Sequence, residues 1–169
     1  EGDGAKGRTL NCSSRMDGAV YAERPVMAVE NAAAAVARVR TAQKSWARRP
    51  LAERIALVQK GVARLNAMSD EVVLELAHMM GRPVRYGGEF GGVNDRTAYM
   101  AGIAERALAP ISIEDSAQFR RYIRRVPQGV VFIVAPWNYP YLTAINTIVP
   151  ALIAGNAVVI KHATQTLLV

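Results

Sequence analysis

An α/β architecture, helical in its first half and opening into a mostly parallel sheet towards its carboxyl end, is predicted by three features of this 169-residue chain. An apolar run, Val130-Val131-Phe132-Ile133-Val134-Ala135, stops at the proline-bracketed turn Pro136-Trp137-Asn138-Tyr139-Pro140. Downstream, Ala144, Ile145, Ile148, Ala151, Leu152 and Ala154 recur at helical spacing and Gly155-Asn156 supplies a stop. A second short run, Ala157-Val158-Val159-Ile160, ends on Lys161. Runs of this kind suit strands covered on both faces, as in parallel sheets. Two parallel neighbours joined by a crossover helix bring their carboxyl ends to one sheet edge, beyond which ligands of such sheets bind. Asn138 and Lys161 are therefore expected to face one crevice, which offers a carboxamide and an ammonium.

Ahead of the sheet the elements follow in order. Residues 1–14 are expected to form a disordered lead. Val26 to Arg48 carries an alanine-rich helical pattern, and Pro50 opens a second helix whose apolar positions are Ile55, Val58, Val62 and Leu65. Asp70 is expected to cap a third helix, with Val72, Val73, Leu76 and Met80 as its buried face and Gly81 and Pro83 as its end. His78 then falls on the helix surface. Gly87-Gly88 and Gly91-Gly92 bracket a loop, and a fourth helix runs from about Val93 to Leu108 with Met100, Ile103 and Ala107 on one side, closed by Pro110. Ala117 to Val126 is expected to be an extended arm.

Composition narrows the class. With 51% hydrophobic and 21% charged residues the chain reads as soluble and globular, able to bury roughly two thirds of its surface. No apolar stretch is long enough to span a membrane, and the start lacks the layout of a secretion signal, so a cytoplasmic location is expected. The lone Cys12 cannot form an internal disulfide, no metal site is expected, and the Asn11-Cys12-Ser13 acceptor pattern carries no weight without a secretion signal. Gly2, Gly4 and Gly7 match the spacing of a dinucleotide fingerprint, yet no strand precedes them, so the match is set aside. A net charge of +7 raises the question of nucleic acid: Arg120, Arg121, Arg124 and Arg125 interleave with Phe119, Tyr122 and Ile123. A solvated or subunit-facing surface is the preferred reading of that patch.

The wording VPQGVVFIVAPWNYP over 126–140, followed by PALIAGNAVVIKHATQT over 150–166, resembles the front half of the cofactor domain of the aldehyde dehydrogenase superfamily. The resemblance extends more weakly through Asp17 to Tyr21, Trp46 to Arg54 and Met80 to Pro83, and so covers Arg15 to Val169. It implies that 15–169 is the N-terminal part of an NAD(P)-binding domain with a Rossmann-like sheet. It also implies that 111–127 contributes to an oligomerisation arm, that the protein is a homo-oligomer, dimer or tetramer, and that the fold here is incomplete. By the same resemblance Asn138 matches the asparagine whose amide donates to the oxyanion. Pro136, Trp137, Lys161, Ala163 and Thr164 form the expected cofactor-binding set: the backbone of the Trp137 turn lies beside the nicotinamide, and Lys161 contacts the adenosine ribose hydroxyls. The competing readings are a turn asparagine between two prolines and a lysine at a surface strand end. Thr164 stands where many members carry a glutamate. A threonine there would not repel a 2′-phosphate and its hydroxyl can donate to one, so NAD or NADP is the expected cofactor, with NADP tolerated or preferred. His162 is read as a loop residue near the adenosine without a proton role. Tyr141 and Asn146 are candidates for the substrate tunnel, and Tyr99 could equally be core.

The implied activity is oxidation of an aldehyde to a carboxylic acid. A cysteine thiolate adds to the carbonyl, a hydride passes to the nicotinamide, and water activated by a glutamate releases the acid. The chain carries no counterpart of that nucleophile, since Cys12 lies far from the sheet in sequence, so the 169 residues alone are expected to be inactive. The alternative is a non-catalytic module whose basic arm binds nucleic acid or protein. Without later strands the sheet is expected to leave an open edge and apolar surface, with poor solubility.

Overall fold

The computed structural model describes residues 8–169, so the Gly2, Gly4, Gly7 spacing lies outside the described residues. The chain opens with an antiparallel hairpin of β1 (Thr9–Ser13) and β2 (Val20–Pro25), in which Cys12 pairs with Ala22. This corrects the expectation of a disordered lead for the part of it that is described. Leu10 and Cys12 alternate with polar neighbours over too few positions to register as a strand in sequence. Burial decides the matter: Cys12 (3% exposed) and Ala22 pack with Val72, Leu76, Met79 and Leu167 in one of two core clusters.

Four helices follow: α1 (Val29–Ala47), α2 (Leu51–Asn66), α3 (Ser69–Met80) and α4 (Phe90–Leu108), with a 3₁₀ turn at Val84–Tyr86 before the last. The first begins three residues later than its alanine pattern suggests and fully buries none of its side chains. Val58 and Val62 of α2 are buried and Ile55 and Leu65 half-buried, as their spacing implies. Asp70 does not cap α3. Met68 holds the cap position without a side-chain bond, and Asp70 sits in the first turn, where its charge complements the helix dipole. Gly81 does end that helix, in the left-handed conformation (φ 76°). The start of α4 takes in Gly91 and Gly92, which were expected in a loop, and its buried positions are Val93, Thr97 and Ala104, while Ala107 is exposed.

The expected arm is a hairpin of β3 (Ile111–Asp115) and β4 (Arg120–Ile123), wholly exposed along β4. Then come β5 (Val130–Val134), α5 (Pro140–Ile153) and β6 (Ala157–Lys161). The two strands pair in parallel from Val130 opposite Ala157 to Val134 opposite Lys161, so α5 is their crossover. The expectation of cover on both faces is corrected: Ile133 is buried, but Phe132 (65% exposed) and Val134 (66%) leave the other face open.

The crossover is anchored at its carboxyl end by many side-chain bonds. Asn156 donates from Nδ2 to the Ala151 carbonyl (3.2 Å) and accepts from the Gly129 amide at Oδ1 (2.9 Å), tying the end of α5 to the entry of β5. Trp46 Nε1 donates to the Leu152 carbonyl, Gln43 Nε2 to that of Gly155 and Arg54 Nε to that of Ile153, at 2.8 to 2.9 Å. These satisfy the carbonyls that a helix end leaves unpaired and bring a cation to its negative pole. Val58, Val62, Val93, Ala104, Ile145, Val149 and Ile153 form the second core cluster, and Tyr141 touches both clusters.

Candidate active site

The sheet edge after β5 and β6 is built as a shared rim. The Ala135 amide donates to the Lys161 carbonyl at 3.0 Å, so the last residue of β6 is fastened to the first residue beyond β5. Pro136 is half-buried, Trp137 is 47% exposed, and Asn138 and Tyr139 are exposed. Neither the Asn138 carboxamide nor the Lys161 ammonium bonds to another described residue, and both face solvent. Ala163 is half-buried and its carbonyl accepts the Thr166 amide (3.2 Å), which starts the 3₁₀ turn Thr164–Thr166; Thr164 itself is exposed. The structure thus gathers the predicted residues at one end of one strand pair.

The remaining candidates separate. His162 is half-buried and lines an apolar cavity of about 230 Å³ with Ala135, Pro140, Tyr141, Ile145 and Ile160. Tyr141 borders that cavity and lies with its ring 6.0 Å from that of Phe90. Burial foremost, then the nearby carboxylates of Glu75 and Glu89, push its phenol up to about 12. Asn146 is exposed on the outer side of α5. Tyr99 is 63% exposed, which excludes the core reading for it. His78 is not a plain surface residue: it is half-buried, stacked on Tyr21 at 4.4 Å, with Nδ1 3.2 Å from Ser14 Oγ. The Cys12 thiol is buried and donates to the Gln165 carbonyl (3.2 Å). In the arm, Arg121 pairs with Glu114 at 3.0 Å and lies 4.4 Å over the Phe119 ring.

Two residues beside the turn escaped the sequence reading. Arg82 bonds through one terminal nitrogen to Glu89 Oε1 (2.8 Å) and through the other to the Asn138 carbonyl (2.7 Å), and its guanidinium lies 4.8 Å from the Tyr139 ring centre. The second oxygen of Glu89 accepts the Leu142 amide at 2.6 Å, in the first turn of α5. Tyr139, the residue at the cap position, gives no side-chain cap, so a carboxylate from α4's entry supplies it. The Glu89 side chain is 1% exposed, and a carboxylate so buried persists only when paired and hydrogen-bonded. No helical or strand period links positions so far apart in sequence. The only signal was the Met80 to Pro83 wording.

The parallel strand pair with its crossover helix is a βαβ unit of an α/β fold, carrying an exposed amide turn and a terminal lysine at one sheet edge. The aldehyde dehydrogenase family model matches residues 3–169, and the chain belongs to that family. It is 32% identical to the benzaldehyde dehydrogenase [NAD(+)] of Pseudomonas putida, over 96% of this chain and 34% of that protein. Among solved structures, the NAD-dependent benzaldehyde dehydrogenase from Corynebacterium glutamicum superposes with a TM-score of 0.85 at 28% identity, over 98% of this chain and 36% of that one. The NADP-dependent glyceraldehyde-3-phosphate dehydrogenase from Bacillus halodurans, solved with NADP, gives 0.85 at 29% identity, over 95% and 35%. The chain spans about a third of the length of these relatives. No helix among the described residues is long and apolar enough to cross a membrane.

Proposed function

We propose that this chain forms the N-terminal portion of the cofactor domain of a cytoplasmic, homo-oligomeric, NAD(P)-dependent aldehyde dehydrogenase that oxidises an aldehyde to its carboxylic acid. In this reading residues 15–169 are that portion and 111–127 its oligomerisation arm. The observation that carries the reading is the common rim on which Asn138 and Lys161 stand, at the carboxyl ends of two parallel strands.

The residues present fit the cofactor. Lys161 and Thr164 are exposed at that rim, with the small Ala163 between them and Pro136 and Trp137 across the strand pair. An ammonium and a hydroxyl there suit ribose oxygens or a 2′-phosphate, and Thr164 brings no negative charge against the latter. Held by these residues, NAD or NADP would supply the hydride acceptor that the oxidation needs. Asn138 donates from its amide to the aldehyde oxygen as a cysteine outside this chain adds to the carbon and forms a thiohemiacetal. An amide holds the growing negative charge without surrendering a proton to it.

Cys12 is buried and engaged with Gln165, so it is not the nucleophile, and the 169 residues alone are expected to produce no NADH or NADPH from aldehydes. In the rival reading the basic arm, whose Arg120, Arg121, Arg124 and Arg125 are all exposed, binds nucleic acid or protein, and the salt dependence of filter binding separates the two.

Replacing Asn138 by Ala in the protein that carries this sequence tests the proposal. Turnover should drop roughly a hundred- to a thousandfold, with the cofactor KM within about twofold. Undiminished turnover would refute the oxyanion role.

A further inference from the structure

We infer that Arg82 and Glu89 form a clamp that sets the direction in which the Asn138 carboxamide is presented, and that they are positioning residues for the oxidation proposed above, on which this inference rests. The contacts run as one chain around the turn. The Leu142 amide donates to Glu89 Oε2, Arg82 donates to Glu89 Oε1, and the other Arg82 nitrogen donates to the Asn138 carbonyl. Residues 138 to 142 are thereby held from both sides, with the Tyr139 ring against the same guanidinium.

The carbonyl that Arg82 holds belongs to Asn138 itself. Fixing that oxygen and the next residue's ring fixes the ψ of Asn138, and hence where its side chain leaves the backbone. Pro140 follows at the first helical position, is buried and has no amide hydrogen, so the turn leads into α5 with one donor fewer to anchor it. Another orphan amide of that first turn, Leu142, is capped by Glu89. Its burial means that the clamp is charged, directional and poorly screened, since both partners lie largely out of water. An oxyanion donor works only when aimed in advance at the position of the forming charge, and a misplacement of about 1 Å can cost about a hundredfold in rate. The Asn138 side chain has no bond to a described residue that could aim it directly. Arg82 acts on its backbone instead, through the Asn138 carbonyl.

The test is a double-mutant cycle in the protein that carries this sequence, combined with hydrogen exchange over residues 137–142. Arg82→Met should lower kcat about ten- to a hundredfold with the cofactor KM within about twofold, and Arg82→Lys should recover part of the loss. Because Arg82 acts through Asn138, the Arg82→Met/Asn138→Ala protein should be no slower than Asn138→Ala alone. Exchange at Leu142 should quicken in Arg82→Met and Glu89→Gln. If Arg82→Met does not fold, Arg82→Met/Glu89→Gln removes the uncompensated charge while still loosening the Asn138 carbonyl, and the same cycle is run on it. Losses that multiply, or unchanged exchange across the turn, would overturn the clamp. If Asn138→Ala is fully active the oxyanion reading fails and this role falls with it, whereas a slow Asn138→Ala protein beside a fully active Arg82→Met protein sinks the clamp alone.

Discussion

Thr164 is exposed at the rim three residues after Lys161, and in the proposed reading its uncharged side chain leaves a 2′-phosphate unopposed. Introducing a carboxylate by Thr164→Glu places like charge against a 2′-phosphate, so NADP affinity should fall about tenfold or more relative to NAD, read by titration of both cofactors. An equal effect on the two would show that position 164 does not face the ribose. Tyr141 allows a second test at this scale, through pH. Its phenol is raised to about 12 in the folded chain, against about 10 when unfolded. Below pH about 10 both states keep the proton and the full stabilisation is present. Between about 10 and about 12 the unfolded chain releases its proton while the folded chain retains it, so stability is lost as pH rises through that window. Tyr141→Phe should flatten part of that alkaline slope in urea unfolding, and an unchanged slope would show that Tyr141 titrates normally.

At the scale of elements, the carboxyl end of α5 is the joint on which the rim depends, because it sets where β6 begins beside β5. Gly155 sits at φ 90°, and a Cβ there would come within 2.9 Å of Pro127 Cγ. Gly155→Ala should therefore destabilise the chain by about 1–3 kcal/mol through backbone strain and that contact. Asn156→Ala leaves the part-buried Gly129 amide without its acceptor, at about 1–3 kcal/mol. Thermal or urea midpoints report both, and a neutral Asn156→Ala would mean that water replaces the side chain at Gly129. The stop at Gly155-Asn156 was readable because glycine and asparagine mark helix ends. The Gln43, Trp46 and Arg54 bonds that secure it were not, since they come from helices about a hundred positions earlier and leave no periodic trace.

For the whole molecule, the decisive feature is a sheet of two parallel strands with one face open. Phe132 and Val134 present adjacent apolar side chains on that face. Contiguous exposed apolar surface and unpaired strand edges favour association. Phe132→Ser with Val134→Thr should raise the soluble, monomeric fraction of the 169-residue chain by light scattering and size exclusion. No change would place the sticky surface elsewhere, for instance on the exposed β4 of the arm.

Local pattern fixed the identity of each long element here. The apolar runs of β5 and β6, the helical spacing of α2 and α5 and the glycine stops need only neighbours in sequence to be recognised, and they already bring Asn138 and Lys161 to one edge. Long-range packing decided what no local period encodes. The hairpin of Thr9–Ser13 and Val20–Pro25 exists because Cys12 and Ala22 find a buried partner in Leu76, and the turn at Asn138 is bonded to Arg82, whose buried partner Glu89 meets the cost of leaving water with its hydrogen bonds to Arg82 and the Leu142 amide.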